Sequence, residues 1–228
     1  MDYKSTENWV LSRLPSYQAI GKKAYNPGLK NVVKFVSTLN LPIDSLNLIH
    51  VGGTNGKGST SSYISSILQE SNYQVGIFSS PHFFDFRERI KINNQKISKS
   101  FIVDFVNKYK SLIEELELSF FELSFCISLA YFVHNDVDYG VIEVGLGGRL
   151  DATNIINPLI SVITNISYDH TDILGNSLEM IALEKAGIFK KNSTIIIGER
   201  NDSVDEIFIN KANEVSSKIT FVPDYNDQ

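Results

Sequence analysis

The feature that most constrains the fold is a regular alternation, from residue 46 onward, of short apolar runs with amphipathic segments. The apolar runs are rich in Val and Ile and lie at residues 46–51, 74–78, 139–144, 159–163, 194–197 and 218–222. The segments between them have helical periodicity and lie at residues 57–70, 100–116, 121–134, 177–186 and 204–215. Apolar strands separated by helices predict an α/β fold in which a parallel sheet is flanked by helices on both faces. Ligands of such sheets bind at the carboxyl ends of the strands.

Local signals predict further elements and one helix boundary. Helical patterns also occur at residues 7–14 and 29–39, with a turn pattern at 25–28. Asn176, followed three residues later by Glu179, has the spacing of a capping box and predicts that a helix begins there. Gly187 directly follows Ala186 and is typical of the left-handed residue that ends a helix.

Composition limits the class of protein. A chain of 228 residues that is 43% hydrophobic and 21% charged can bury the core of one α/β domain. The net charge of −5 and the absence of a basic run argue against a nucleic-acid partner. No uninterrupted apolar stretch reaches 18 residues, so no membrane span is predicted. The first 13 residues do not resemble a signal peptide, and we therefore expect a cytoplasmic protein. The single cysteine, Cys126, lies in an apolar run and is expected in the core.

Residues 52–59 form a glycine-rich loop between a predicted strand and a predicted helix. Glycines allow successive backbone N–H groups to point into one concavity, the helix adds its positive end, and Lys57 adds a mobile charge. This context predicts a loop that binds the phosphates of ATP, with Ser59 or Thr60 offering a hydroxyl to magnesium. The predicted ATP-binding residues are Thr54, Asn55, Gly56, Lys57, Gly58 and Ser59. The strict Walker pattern fails, because Val51 replaces its first glycine and Gly58 separates Lys57 from Ser59, so a chance glycine-rich turn is an alternative.

Polar residues follow two other strands. Glu143 ends a strand and is a candidate magnesium ligand, although a salt-bridged glutamate is the ordinary alternative. His170 follows another strand end and could ligate a second magnesium ion, although a capping or core-facing histidine is the commoner use of this residue. Lys185, by itself, has the pattern of a solvated lysine on a helix.

Three motifs in sequence order resemble those of the folylpolyglutamate synthase and dihydrofolate synthase family, relatives of the Mur ligases. They are Gly-Thr-Asn-Gly-Lys-Gly-Ser at 53–59, Glu-Val-Gly-Leu-Gly-Gly-Arg-Leu-Asp-Ala-Thr-Asn at 143–154, and Asp-His at 169–170 with Glu-Lys-Ala-Gly-Ile at 184–188. In that family the additional glycine after the lysine is characteristic, so the departure from the Walker pattern favours the resemblance. The resemblance implies a Mur-ligase-like central ATPase domain with a phosphate loop.

The resemblance also implies roles for individual residues. Lys57, His170 and Lys185 would be catalytic, and Lys185 would carry a carbamate. Two magnesium ions are implied. Ser80 and Glu143 would hold the first, and His170 would hold the second. The pterin-bearing substrate would be bordered by Phe121, Glu122, Leu150, Asp151 and Ala152, and by the loop at 79–90, where Phe83, Phe84 and Phe86 either stack on a flat heterocycle or anchor the loop.

The implied activity is ATP- and magnesium-dependent ligation of L-glutamate to the carboxylate of dihydropteroate, of (tetrahydro)folate polyglutamates, or of both, through an acyl phosphate. A Mur-type ligase domain, which needs a UDP-linked substrate, is an alternative. Family members possess a smaller C-terminal domain that is not visible before Gln228, so residues 1–228 are expected to form a single, incomplete ATP-binding domain. A non-catalytic ATP-binding fragment, or one completed by a separate chain, is therefore the other hypothesis, and apolar surface should be exposed.

Overall fold

The computed structural model describes residues 1–14 and 28–225, so most of the predicted turn at 25–28 lies outside the described residues. The α-helices are α1 (Tyr3–Arg13), α2 (Lys30–Leu39), α3 (Lys57–Glu70), α4 (Lys99–Glu115), α5 (Phe120–His134), α6 (Thr171–Leu174), α7 (Leu178–Ala186) and α8 (Asp205–Glu214). Short 3-10 helices lie at Ile43–Ser45, Phe86–Arg89, Ala152–Ile155 and Val222–Tyr225. None of the helices described here is long and apolar enough to cross a membrane.

The strands form one mostly parallel sheet, which confirms the predicted α/β class. They are β1 (Leu48–Gly52), β2 (Val75–Phe78), β3 (Ile90–Ile92), β4 (Gln95–Lys96), β5 (Tyr139–Glu143), β6 (Ile160–Ile163), β7 (Thr194–Ile197) and β8 (Lys218–Phe221). Their order is β4-β3-β2-β5-β1-β6-β7-β8. All six predicted strands are present, and the central three are β5, β1 and β6, so their carboxyl ends lie side by side.

The sequence interpretation missed the hairpin of β3 and β4, which pairs antiparallel with β2 at one edge of the sheet. Its two strands are only three and two residues long. The available signal was the pair Asn93 and Asn94, whose φ values of 45° and 64° are those of a tight hairpin turn. Asparagine tolerates this left-handed conformation better than most residues.

Two predictions about the ends of α7 were wrong. The helix is capped by Ser177, whose hydroxyl accepts a hydrogen bond from the Met180 N–H at 3.3 Å, and not by Asn176. Gly187 has right-handed backbone angles, with φ of −60°. A glycine is needed there for another reason, because a Cβ atom would lie 2.4 Å from Cβ of Arg149.

The two faces of the sheet are covered unequally. On one face, α2, α4 and α5 pack over β2, β5 and β1, and α7 and α8 pack over β6, β7 and β8. Cys126 of α5 is fully buried there, as predicted for a core residue. On the opposite face, α3 covers β1, β2 and β5, through a smaller cluster that includes Ile49, Val51, Ile77 and Val141.

On the opposite face, Val162 of β6 is buried in the cluster under α3, but no described helix packs extensively on β7 and β8. By strand alternation and register, this face presents Ile160, Thr194, Ile196 and Thr220, which are half-buried, and Lys218, which is exposed. The flank of α3 that points the same way adds Tyr63 and Ile67, which are exposed. The other flank of α3 faces the opposite edge of the sheet, since Gln69 accepts a hydrogen bond from Asn94 of the hairpin. We call the six residues Ile160, Thr194, Ile196, Thr220, Tyr63 and Ile67 the open patch.

A close contact in the core gives a test of the packing. A Cβ atom on Gly76 of β2 would lie 2.6 Å from ring carbons of Phe132 on α5. Gly76→Ala should therefore lower the free energy of unfolding by about 1–3 kcal/mol, the usual cost of an overpacked core. In a Phe132→Leu background the same change should cost less, because the smaller side chain leaves room for the methyl group. Denaturant unfolding of the four proteins in this double-mutant cycle measures the coupling, and strictly additive effects would contradict the contact.

Candidate active site

The predicted phosphate loop connects β1 to α3, and two of its glycines are required by geometry. Gly56 lies at the N-terminal cap of α3 with φ of 79°, a left-handed conformation that favours glycine. Gly53 has φ of 136°, and a Cβ atom there would lie 1.9 Å from Oγ1 of Thr164. The backbone conformation of the loop therefore depends on these glycines.

The loop after β6 holds the phosphate loop in place. The Asn165 carbonyl oxygen accepts from the Thr54 N–H at 3.0 Å, and Oδ1 of Asn165 accepts from the Asn55 N–H at 3.0 Å. The Thr164 hydroxyl donates to the Asn55 carbonyl oxygen at 2.6 Å. The sequence interpretation assigned no role to Thr164 or Asn165, although polar residues directly after a central strand were a usable signal.

Two lysines converge on the same backbone oxygen. Nζ of Lys57 donates to the Gly53 and Thr54 carbonyl oxygens at 3.0 and 2.9 Å. Nζ of Lys185 donates to the Gly53 carbonyl oxygen at 2.8 Å. Lys185 is only 4% exposed, so its reading as a solvated helix lysine was wrong. It lies on the helix face that buries Ile181 and Ala182, one turn earlier, and this face packs onto the sheet.

Both ammonium groups have lowered pKa values, mainly because they are buried. Burial, and then the nearby charge of Lys57, lower the pKa of Lys185 to about 8. Burial also lowers the pKa of Lys57, while Glu143 and Asp169 act in the opposite direction. Asp169, which belongs to the third motif but was assigned no role from sequence, is thus a counter-charge for both lysines.

Glu143 and Ser80 lie together beside the phosphate loop. Oε2 of Glu143 accepts a hydrogen bond from the Ser80 N–H at 2.9 Å. A Cβ atom on Gly58 would lie 3.5 Å from Oε1 of Glu143, so this carboxylate borders the first turn of α3. Burial raises the pKa of Glu143, and the Ser80 N–H, Lys57 and Arg89 oppose that rise. The result is a nearly buried carboxylate whose ionised form is favoured by added positive charge.

These residues fit a magnesium ion that is shared with phosphate oxygens. Magnesium is commonly bound by one or two carboxylates together with the phosphates of a substrate, and its other ligands are waters. Among the described residues no group of three or more His, Cys, Asp or Glu could hold a metal ion by itself. Glu143 with the neighbouring Ser80 matches the arrangement in which one carboxylate and the phosphates of a substrate share the ion.

His170 lies in the segment that follows β6. It is exposed, has φ of 46°, and lies at the N-terminal cap of α6. Its Nε2 atom lies 3.6 Å from Oδ2 of Asp169. Because Asp169 also acts on Lys57 and Lys185, His170 borders the same cluster of charges.

Phe121 and Asp151 form the wall of a neighbouring site. A Cβ atom on Gly145 would lie 2.5 Å from Cζ of Phe121 and 3.0 Å from Oδ2 of Asp151, so both side chains meet at this glycine. Ala152 is buried and Leu150 is half-buried directly after the same loop. Sequence reasoning predicted that these residues border one substrate, and the structure brings them together.

Glu122 is a helix cap as well as a neighbour of that wall. Its carboxylate accepts from the Ser119 N–H at 2.8 Å, and the Ser119 hydroxyl accepts from the Glu122 N–H at 3.2 Å. This reciprocal capping box fixes the start of α5. Burial raises the pKa of Glu122, and Asp151 raises it further.

The three phenylalanines after β2 differ in exposure, and stacking on a heterocycle stays a prediction for Phe83 and Phe84. Phe83 and Phe84 are 84% and 97% exposed, as stacking residues must be. Phe86 is buried against Phe120 and anchors the loop. Arg89 lies over the Phe120 ring and donates from Nε to Nδ1 of His82 at 2.8 Å, which ties the loop to the start of α5.

A family model described as the Mur ligase middle domain matches residues 51–227 of the chain. The chain therefore belongs to this family. The match includes the phosphate loop, Glu143, Asp151 and Lys185, which form the site described above. The predicted Mur-ligase-like class is thereby confirmed.

Similar proteins narrow the resemblance to one group within the family. The dihydrofolate synthase/folylpolyglutamate synthase of Bacillus subtilis is 40% identical over 201 residues, which cover 85% of this chain and 45% of that protein. The crystal structure of folylpolyglutamate synthase from Thermotoga maritima superposes with a TM-score of 0.84 at 33% identity, covering 96% of this chain and 49% of that one. A bifunctional folylpolyglutamate synthase/dihydrofolate synthase with Mn, AMPPNP and L-glutamate bound has a TM-score of 0.82 at 31% identity, covering 97% and 52%. The predicted resemblance is confirmed, and the chain spans about half the length of the relatives it matches.

Proposed function

We propose that this chain is the ATP-binding part of a ligase that joins L-glutamate to the carboxylate of dihydropteroate, of (tetrahydro)folate polyglutamates, or of both. The observation that carries the proposal is the convergence of Lys57 and Lys185 on the Gly53 carbonyl oxygen, with Glu143 beside the same loop. Phosphate binding needs concentrated positive charge at backbone N–H groups, and a metal ion needs a nearby carboxylate. Relatives named for this activity support the choice of substrates.

The reaction requires activation, because the leaving group of a free carboxylate would be oxide. Transfer of the γ-phosphoryl group of ATP to a carboxylate oxygen yields ADP and an acyl phosphate. The amino group of glutamate then attacks the acyl carbon, and the tetrahedral intermediate expels inorganic phosphate and loses a proton to give the amide. Catalysis of such transfers consists largely of positioning and charge stabilisation.

The phosphate loop supplies both positioning and charge stabilisation. Backbone N–H groups of residues 54–59 would bind the β- and γ-phosphates, with Lys57 near the outer phosphates. Lys57 is held by two backbone carbonyl oxygens, which restricts its ammonium group to the loop. Fixing the charge before the substrate binds lowers the reorganisation required during phosphoryl transfer.

Glu143 and Ser80 would hold one magnesium ion, and His170 together with modified Lys185 would border a second. When bound, magnesium neutralises charge that develops on the transferred phosphoryl group. A relative whose structure contains Mn and AMPPNP supports the use of a divalent ion. Phe121, Glu122, Leu150, Asp151 and Ala152 would border the pterin group.

ATP binding tests the first part of the proposal. In isothermal titration with ATP and magnesium, Lys57→Ala should weaken binding by about tenfold or more, since a buried charge-assisted hydrogen bond is lost. Lys4→Ala, a change at an exposed lysine of α1, should leave ATP binding at the wild-type value. Equal affinities for wild type and Lys57→Ala would contradict the assigned loop.

Release of ADP from the same sample then identifies the reaction. A comparison of dihydropteroate with tetrahydrofolate as acceptor, each with glutamate, distinguishes the two ligase activities. Turnover with only a UDP-linked acceptor would instead identify a Mur-type ligase. ATP binding without turnover on any acceptor would contradict a self-sufficient ligase and favour an ATP-binding fragment.

The environment of Lys185 supports the proposed carbamate. Carbon dioxide adds to a neutral amine: the Nζ lone pair forms the new N–C bond, and one proton leaves. Burial favours the neutral amine of Lys185, whose pKa is about 8. The product is an anion that keeps one N–H, which can still donate to the Gly53 carbonyl oxygen. This modification would also remove the repulsion between Lys57 and Lys185.

Carbamate formation should be visible directly. With 13C-labelled bicarbonate, the wild-type protein should show one carbamate carbon resonance, and its intensity should rise as the pH is increased towards about 8. Lys185→Arg should abolish the signal. The matched control is Lys190→Arg, since Lys190 is another partly buried lysine with a lowered pKa, and that variant should keep the signal. A resonance that survives in Lys185→Arg would assign the modification to another residue or exclude it.

We further propose that the working enzyme includes a polypeptide equivalent to the half of the relatives that this chain does not match. Parallel strands are normally covered on both faces. The open patch spans three strands about 4.8 Å apart, a width of about 10 Å that fits one helix. An amphipathic helix lying beside α3, from the same chain or a separate one, would cover Tyr63, Ile67, Ile160 and Ile196.

Co-expression tests this arrangement. The half of the Bacillus subtilis relative that has no counterpart here should co-purify with this chain, as judged by size-exclusion chromatography with light scattering. The double variant Ile67→Lys/Ile196→Lys should lose the complex, because it places charge on the open patch. Leu11→Lys, at an exposed leucine of α1, should keep it. Self-association through the patch, or a complex that tolerates the lysines, would contradict the proposed partner.

A further inference from the structure

A buried histidine lies directly beneath the wall of the proposed pterin site. His50 is in the middle of β1, has no exposed surface, and belongs to no motif assigned above. Its Nε2 atom lies 2.8 Å from Oγ1 of Thr153, in the 3-10 helix Ala152–Ile155. Its Nδ1 atom has no hydrogen-bond partner within the described residues. Burial of a polar side chain costs free energy unless hydrogen bonds compensate for the lost hydration.

Asp151 fixes the direction of the hydrogen bonds. The Thr153 hydroxyl donates to Oδ1 of Asp151, which also accepts from the Thr153 N–H at 3.0 Å. A hydroxyl has only one hydrogen to donate. Oγ1 of Thr153 must therefore accept from His50, whose ring then carries its proton on Nε2. The opposite tautomer would bury an unpaired Nδ1–H group, a costly arrangement.

The carboxylate of Asp151 accepts several hydrogen bonds from the protein. Oδ2 accepts from the Leu146 N–H at 2.8 Å. Burial raises the pKa of Asp151, and the donors of Thr153, Leu146 and Gly145 oppose that rise. Asp151 is 5% exposed. Its side chain thus joins the glycine-rich loop after β5 to the following 3-10 helix.

We propose that His50 and Thr153 are positioning residues that act through Asp151. The hydrogen-bonded series His50–Thr153–Asp151 holds Leu146 and the 3-10 helix that begins at Ala152 in place, beside Gly145, where Phe121 and Asp151 meet. Asp151 therefore acts through the backbone that it orders. The inference rests on the proposed function for the identity of the ligand, but the series of hydrogen bonds stands independently of it.

The first test needs no substrate. Nitrogen-15 chemical shifts of the wild-type protein should show His50 as a neutral ring with hydrogen on Nε2. Burial lowers the pKa of His50 to about 3, with a smaller effect of Lys190, so the ring should stay neutral at neutral pH. A ring with hydrogen on Nδ1 would overturn the series.

The second test separates positioning from general stability. Thr153→Val removes the hydroxyl and should weaken binding of dihydropteroate by about tenfold, the factor expected when buried partners are left unpaired. ATP binding should weaken much less than dihydropteroate binding, and Thr153→Ser should restore dihydropteroate binding. Thr6→Val removes another buried hydroxyl, on α1, which donates to the Asp2 carbonyl oxygen, and it should affect neither ligand.

The outcomes distinguish the inference from the proposed function. If wild type binds neither dihydropteroate nor tetrahydrofolate, the proposed function and this inference both fall. If wild type binds dihydropteroate and Thr153→Val binds it equally well, only the inference falls. Weakened binding that Thr153→Ser does not restore would also overturn the inference, because it would reflect a general structural defect.

Discussion

The arrangement of the site depends on one backbone acceptor, the Gly53 carbonyl oxygen, which receives hydrogen bonds from Lys57 and Lys185. Two buried ammonium groups repel one another and lose their hydration, so each needs a polar partner. A shared carbonyl oxygen, with Asp169 as a counter-charge, satisfies part of that need. The glycine also sets the loop geometry, because the Thr164 hydroxyl lies where its side chain would start. Loop conformation and charge placement are therefore determined by the same residue.

Strand register explains why distant segments of the chain meet at this loop. Val51 of β1 is opposite Glu143 of β5, and Gly52 is opposite Ile163 of β6. Three parallel strands thus end at one level, and the segment that follows each of them carries polar groups. The antiparallel hairpin at the edge leaves this arrangement intact, since it pairs only with β2. The central position of β1 makes its loop the meeting point, as the general rule for ligand sites in parallel sheets predicts.

Elements with local signals were predictable, and those that depend on distant contacts were not. The bounds of α3 and β7 agree with the sequence interpretation to the residue, because a glycine-rich loop marks the start of the helix and β-branched residues define the strand. Burial of Lys185 could not be read from periodicity, since its partner Gly53 is 132 positions away. The same holds for Gly187, whose need for a small residue comes from Arg149.

The site residues show the same division between local and long-range information. The motifs identified Glu143, Ser80, Phe121 and Asp151, and the structure brings the first two together and the last two together. The motifs did not identify His50, because it lies in an apolar strand that belongs to none of them. Its significance appears only when Thr153 is found 2.8 Å away on a segment more than a hundred residues later. Patterns in sequence find residues that face a ligand more readily than residues that support them.

Asp151 connects the nucleotide side and the pterin side of the site through its charge. It raises the pKa values of Glu143 and Glu122, and it acts against the lowering of the pKa values of Lys57 and Lys185. A charge in a poorly hydrated interior acts over longer distances than one in water. A small displacement of the Asp151 carboxylate would therefore change the pKa values of all four groups. The donors from Gly145, Leu146 and Thr153 restrain that displacement. Support from a buried neutral histidine adds a further restraint without adding another charge, which explains why a histidine is tolerated at the centre of the sheet.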